Sequence, residues 1–243
     1  MRYPWCRCEP RQRTAEIGAT LTMQWIEQLE SAPLGQAGAI ALGAYALGCC
    51  ATGYYLVRWR LGEDIRALGS GSVGARNVGR TLGWAGFVLT VLGDFGKGAL
   101  AVWATQRYAG SFALDAVAML AVVAGHIWPV QLWFRGGKGV ATSLGALAVY
   151  DFHLAIAFAA LFVCTSAIAR RTVLPGLFAF ACLPWVSAYL GQDPASIAQD
   201  YGKVLSTTFL AGLVWIAHRR NLIDELSALA QRRFHPEEHS SKL

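Results

Sequence analysis

The sequence is short of charge: Asp, Glu, Lys and Arg make up 15% of its 243 residues, against 55% hydrophobic. So few polar groups exclude an ordinary soluble domain, and the positive mean hydropathy points to a chain with several membrane spans. Lysine is scarcer still, at positions 97, 138, 203 and 242 only. The six cysteines contain no C-x-x-C pair. Cys6 and Cys8 lie near the start, Cys49 and Cys50 are adjacent, and Cys164 and Cys182 fall in apolar runs, which suits packing residues better than a zinc site or a disulfide framework. No His, Cys or carboxylate group has metal-ligand spacing, so neither a metal nor another cofactor is expected. The net charge of +6 does not call for nucleic acid, because the basic residues cluster in the links between apolar runs, as in loops held against an anionic leaflet.

What the sequence does have is apolar length. Residues 1–36 form a mixed tail without an apolar core or a visible signal peptide, and Met23 offers an alternative start that would make part of it an extension. Residues 37–220 read as an all-α membrane domain of seven spans. They cover 38–57, 84–105, 112–130, two short crossings within 140–169 that turn at residues 151–153, 172–190 and 204–217. The double crossing follows from charge parity, since a single one would separate Arg170 and Arg171 from the other basic clusters. In this arrangement fourteen of the 21 Lys and Arg face one side, which the positive-inside rule makes cytoplasmic. Residues 221–243 read as an interfacial amphipathic helix and tail, with Leu222, Ile223, Leu226, Leu229 and Ala230 at helical spacing. Gly43, Gly48 and Gly53 are spaced for close helix contact. The terminal Ser241-Lys242-Leu243 matches a peroxisomal address, a three-residue coincidence outweighed by the multi-span pattern.

Two glycine-rich basic loops fall on the cytoplasmic side. In R-G-G-K-G-V, residues 135–140, Gly136, Gly137 and Gly139 leave room for a phosphate among backbone N–H groups, and Lys138 adds a full charge. In G-S-G-S-V-G-A-R-N-V-G-R, residues 69–80, the chemistry recurs. The second loop matches G-x-G-x-x-G by letter but lacks the strand and parallel sheet of a dinucleotide site, and the first lacks the leading glycine and the Ser or Thr of a Walker A loop. What survives is an anion site of backbone N–H groups with Ser70, Ser72, Arg76, Arg80 and Lys138. Each loop alone reads equally well as a positively charged connector; both on one face argue for an anionic substrate. His218 and Asn221, three residues apart, present two polar groups from one helix face. Asp94 and Lys97 share a face inside a span and would partly neutralise each other, as a structural pair or as part of the site's surroundings. There is no G-x-S-x-G elbow, and neither His126 nor His218 precedes an aspartate by five positions, which excludes the H-x4-D type of acyltransferase.

The runs D-I-R-A-L-G-S-G-S-V-G-A-R-N-V-G-R-T-L-G, D-F-G-K-G, G-H-I-W-P-V-Q-L-W-F-R-G-G-K-G-V-A-T and H-R-R-N-L, in this order over residues 38–222, resemble the bacterial acyl-phosphate-dependent glycerol-3-phosphate acyltransferases, the PlsY family. The resemblance implies a multi-pass enzyme of phospholipid biosynthesis in the bacterial inner membrane, with its site facing the cytoplasm. It would move a fatty acyl group from acyl phosphate to the 1-hydroxyl of glycerol 3-phosphate, giving lysophosphatidate and phosphate. It further implies that Ser70, Arg80 and Lys138 hold the acceptor's phosphate. The backbone from Gly71 through Ser72 to Gly74, with Asn77, would serve the acyl phosphate; His218 and Asn221 would orient the glycerol; and the acyl chain would lie among membrane lipid. Two substitutions depart from the family's first block, Ser72 for Asn and Arg76 for Thr. The usual R-L-x-x-G-x-E after H-R-R-N-L is replaced by residues 224–230, D-E-L-S-A-L-A. Arg76 adds a cation suited to a more anionic substrate. A related enzyme for another phosphorylated substrate, and a transporter or binding protein without chemistry, are the alternatives. No protein partner is indicated.

Overall fold

The computed structural model describes residues 34–191 and 197–234, and these are helical with short connections. The helices are α1 (Leu34–Cys49), α2 (Thr52–Leu61), α3 (Ala75–Tyr108), α4 (Phe112–Ile127), α5 (Val140–Tyr150), α6 (Phe152–Ala169), α7 (Val173–Leu190) and α8 (Ile197–Phe234). Among the described residues, five stretches are long and apolar enough to cross a membrane: Leu34–Leu61, Ala75–Tyr108, Phe112–Leu132, Phe152–Ala169 and Val173–Leu190. Leu42, Leu92, Trp103, Val163 and Trp185 are exposed along these helices, as side chains in contact with lipid would be.

The helix ends correct several expected boundaries. The first span is two helices, broken at Cys50 and Ala51. The second begins at Ala75 rather than near 84 and bends at Gly83, whose φ of 74° and ψ of −169° suit glycine alone. The turn expected at residues 151–153 is present, and its cause is local: the Asp151 carboxylate accepts from the N–H groups of His153 (3.0 Å) and Leu154 (3.3 Å) and so caps α6. The 11-residue α5 reaches only about 16 Å at 1.5 Å per residue, roughly half of the hydrocarbon thickness. The helix expected after residue 221 is not a separate element, because α8 runs unbroken to Phe234. Residues 1–33, the acidic link around Asp193 and the tail from residue 235 lie outside the described residues.

Close backbone contacts hold the bundle. A Cβ on Gly48 would strike the Val122 carbonyl of α4, and one on Gly125 would strike the Tyr45 carbonyl of α1, so α1 and α4 touch through facing glycines. Gly98 of α3 and Gly145 of α5 do the same against Thr142 and Phe95. Gly53 packs on Val73, whereas Gly43 faces open space and plays no such part. Between the helices lies one large apolar cluster containing Met119, Val122, Leu147, Phe158, Phe180, Leu183, Leu210 and Val214. A smaller cluster of Val57, Ile65, Val73 and Val78 supports the loop before α3. Cys49, Cys50, Cys164 and Cys182 are free thiols, and of these Cys49 alone is buried, so packing accounts for one of the four.

Candidate anion site

The loop before α3 is organised by a single side chain. Asn77, 1% exposed, accepts from the Ser70 N–H through Oδ1 (2.9 Å) and donates through Nδ2 to the carbonyls of Leu68 (2.9 Å), Ser72 (3.0 Å) and Ile65 (3.3 Å). An amide offers two donor hydrogens, both spent here on loop carbonyls, while its oxygen accepts from the loop backbone. Gly69 and Gly71 supply the left-handed turns, with φ of 54° and 69°. The Gly71 N–H donates to the Leu68 carbonyl and the Gly74 N–H to Ser72 Oγ (3.2 Å). Helix α3 then starts behind Gly74 with no side chain capping its first turn, so its positive end opens toward the loop. Ser70, Gly71, Arg76 and Arg80 are exposed, while Ser72 and Gly74 are half-buried.

The second loop departs from the cradle its glycines suggest. The N–H groups of Gly136 and Gly137 donate to the carbonyls of Ile127 and His126, both at 3.0 Å, and so fasten the loop to the end of α4. These donors are engaged within the protein, which corrects the expectation that they point at a phosphate. Their lack of Cβ serves close packing: a Cβ on Gly136 would strike the His126 carbonyl, and one on Gly137 would fall on the His126 imidazole. Gly139, with φ of 83°, makes the turn into α5 against Ile127. Trp133 and Phe134 also take positive φ, 55° and 57°, and both are exposed. Arg66 ties the two loops together: it pairs with Asp64 at 2.6 Å and donates through Nη1 to the Leu132 carbonyl at 2.8 Å.

The cations of the two loops converge. Burial, then the charges of Arg76 and Arg80, hold the half-buried Lys138 amine below the ordinary lysine range. The charges of Lys138 and Arg76 also reach His218, buried on α8. Arg80 and Lys138 have no carboxylate partner among the described residues. Like charges brought near one another repel, and an anion among them relieves that repulsion. His218 Nδ1 lies 2.9 Å from the Val214 carbonyl. A carbonyl only accepts, so Nδ1 carries a hydrogen, and in the neutral ring Nε2 then has the lone pair. Of the candidate residues, Arg76 and Arg80 thus lie within electrostatic reach of Lys138, and Arg76 and Lys138 within reach of His218. The Asn221 side chain lies outside the described residues. Among the described residues no cluster of three or more His, Cys, Asp or Glu could hold a metal.

Sequence analysis singled out Asp94 and Lys97 without assigning them, and named His126 only in excluding an H-x4-D motif. The structure joins all three beneath the second loop, as described below. A cavity of about 560 Å³ between α1 and α3, lined by Ile40, Leu47, Leu100 and Tyr108 among others, lies toward the far end of α3 from these cations.

The fold therefore defines a polytopic helical membrane protein whose two glycine-rich loops bring cations near one another. A sequence model of the family described as glycerol-3-phosphate acyltransferase matches residues 38–228. The chain belongs to this family. Glycerol-3-phosphate acyltransferase 1 of Desulfitobacterium hafniense (strain Y51) is 44% identical over 193 residues, covering 79% of this chain and 92% of the relative. The glycerol-3-phosphate acyltransferase of Clostridioides difficile (strain 630) is 41% identical over 188 residues, covering 75% and 88%. The crystal structure of PlsY, an integral membrane glycerol 3-phosphate acyltransferase, in its glycerol 3-phosphate form superposes with a TM-score of 0.70 at 29% identity, covering 79% of this chain and 93% of that one. A lysophosphatidic acid form of PlsY superposes at 0.68.

Proposed function

We propose that this chain transfers a fatty acyl group from acyl phosphate to the 1-hydroxyl of glycerol 3-phosphate, releasing lysophosphatidate and inorganic phosphate. The observation that carries the reading is the convergence of Arg76, Arg80 and Lys138 beside His218 on a chain of this family. Two anions that repel each other must be brought together, and these cations lower that repulsion. The phosphate of glycerol 3-phosphate sits between Ser70, Arg80 and Lys138; the acyl phosphate lies at the uncapped start of α3, near Arg76. The hydroxyl oxygen attacks the acyl carbonyl, the new C–O bond forms, the bond from the acyl carbon to the phosphate oxygen breaks, and phosphate leaves. His218 Nε2 takes the hydroxyl proton, with Asn221 orienting the glycerol. Asn77, bonded to the loop backbone, shapes the donor side.

The chain crosses the bacterial inner membrane seven times in this reading, with both glycine-rich loops in the cytoplasm. Alternating contacts support it. Arg66 with Leu132, and Lys138 with Arg76 and His218, meet at one end of the bundle; Gln106 with Val149, Phe112 with Tyr150, and Tyr150 with Ser206 meet at the other. The test uses the purified protein in detergent with palmitoyl phosphate and glycerol 3-phosphate, following phosphate and lysophosphatidate. Stoichiometric products that vanish in Lys138→Ala are expected. No product from folded protein overturns the reading and directs attention to another phosphorylated substrate, for which the extra cation Arg76 is the reason.

A further inference from the structure

Beneath the second loop lies a set of buried polar groups that the reaction above does not use. On α3, Asp94 and Lys97 pair at 2.9 Å, and both are almost wholly buried, at 3% and 6% exposure. Lys97 Nζ donates to the Cys50 carbonyl at 2.7 Å, in the break between α1 and α2. Thr52 Oγ1, at the start of α2, donates to Asp94 Oδ1 at 3.1 Å. The same oxygen stands 3.5 Å from His126 Nδ1, an electrostatic approach without a hydrogen bond. The His126 ring in turn lies directly under Gly137, the residue before Lys138, while the His126 and Ile127 carbonyls hold the N–H groups of Gly137 and Gly136.

Burying a carboxylate, an ammonium and an imidazole together is costly, and apolar residues of the same volume would serve packing as well. The arrangement is therefore informative by where it ends. Its upper surface is the imidazole, and the backbone resting on it carries the lysine of the anion site. A ring that tilted or moved would carry Gly137 with it, because no gap separates them. We propose that Asp94, Lys97 and His126 are positioning residues: an ion pair anchored in the α1–α2 break fixes the His126 ring, and the ring fixes the position of Lys138. On the reaction proposed above, this network sets the affinity for the phosphorylated acceptor from inside the bundle, through the loop backbone and without touching substrate.

The experiment compares Asp94→Asn and the milder Thr52→Val with wild type. It measures steady-state kinetics in glycerol 3-phosphate, binding of inorganic phosphate by calorimetry, and thermal unfolding. Asp151→Asn, which weakens an ion pair at the opposite end of the bundle, is the control. Asp94→Asn is expected to raise KM and weaken phosphate binding by about tenfold with kcat changed by less than about twofold, and Thr52→Val to shift both the same way by less. Asp151→Asn is expected to lower the unfolding temperature alone. A double-mutant cycle tests the contact itself. Gly137→Ala places a methyl on the ring and should weaken phosphate binding in wild type but add nothing further in His126→Ala, where the methyl has room. Lower stability with unchanged KM and phosphate affinity in both Asp94→Asn and Thr52→Val overturns the proposal, as does strict additivity in the cycle. If Asp94→Asn does not fold, Thr52→Val decides. If wild type makes no product while phosphate binding still falls in Thr52→Val, the acyltransferase reading fails and the positioning network stands.

Discussion

The two ends of the helix bundle treat charge in opposite ways. At the end bearing the glycine-rich loops, Arg76, Arg80 and Lys138 press on one another, and Lys138 is depressed below its ordinary value by burial and by its neighbours. At the other end the cation is compensated. Lys203 meets Asp151 Oδ2 at 2.8 Å and stands over the Phe112 ring, and Asp151 also caps α6. Stability alone favours the second arrangement. The contrast supports the proposal that the loop end, and not the other, takes the anionic substrate.

The largest effect should come from exchanging the roles of the two lysines. Lys138→Ala should lower acyl transfer by about a hundredfold or more, while leaving the unfolding temperature unchanged or slightly raised, because a repelling charge is removed. Lys203→Ala should do the reverse: turnover nearly intact, and stability reduced by about 1–3 kcal/mol as Asp151 loses its partner. Parallel losses of activity in both variants would erase the distinction between the ends. Next in size is Asn77→Ala, which leaves the Ser72 carbonyl and the Ser70 N–H without the amide, while the Ile65 and Leu68 carbonyls keep the N–H groups of Leu68 and Gly71. A stability loss of about 2 kcal/mol is expected, together with an activity loss of at least about tenfold, since the loop that presents Ser70 and the start of α3 is no longer held. Unfolding curves and initial rates on the same sample check it.

A third prediction concerns protons. The folded-state value of Lys138 lies below its unfolded one, so between the two the unfolded chain binds more protons and stability rises with pH across that window. Lys138→Gln should flatten this rise. Bound phosphate acts in the opposite sense: it favours the ammonium, raises the depressed value, and near that value draws a proton from the buffer. Calorimetric titration of phosphate in two buffers of different ionisation enthalpy should show net uptake in wild type and less in Lys138→Gln; net release would mean that Lys138 is not at the anion.

How much of this was legible in the sequence differs by element. The turn at Asp151 was readable from the parity of Arg170 and Arg171, whereas the cap its carboxylate makes is seen only in the structure. The break at Cys50 and Ala51 was not, since Gly48 and Gly53 beside it read as packing residues and the carbonyls of Cys49 and Cys50 are held by Gln131 and Lys97 from distant segments. The grouping of Arg80 and Lys138 followed from charge and loop order. The part played by Gly136 and Gly137 did not, because a glycine needed for close packing on His126 and one needed to approach a phosphate look alike in a sequence. Asn77 shows the same limit: its amide reads as a ligand until its four partners are seen to belong to the loop. His126 was a lone histidine in the sequence, and its neighbours Asp94 and Gly137 come together only in the folded bundle.

The smallest effect should arise at the compensated end. Burial pushes the Asp151 carboxyl up, but the hydrogen bond and charge of Lys203, with two backbone N–H groups, bring it below the ordinary aspartate value. A carboxylate depressed in the folded state contributes stability that is fully present above its unfolded value and is lost as pH falls through the folded one. Wild type should therefore lose part of its unfolding temperature on acidification below the usual aspartate range, and Asp151→Asn, already without that contribution, should lose less over the same interval. The affinity for phosphate at neutral pH should be the same in both. If acid sensitivity instead followed phosphate affinity, the two ends would be coupled, and the compensated pair would belong to the site rather than to the scaffold that carries it.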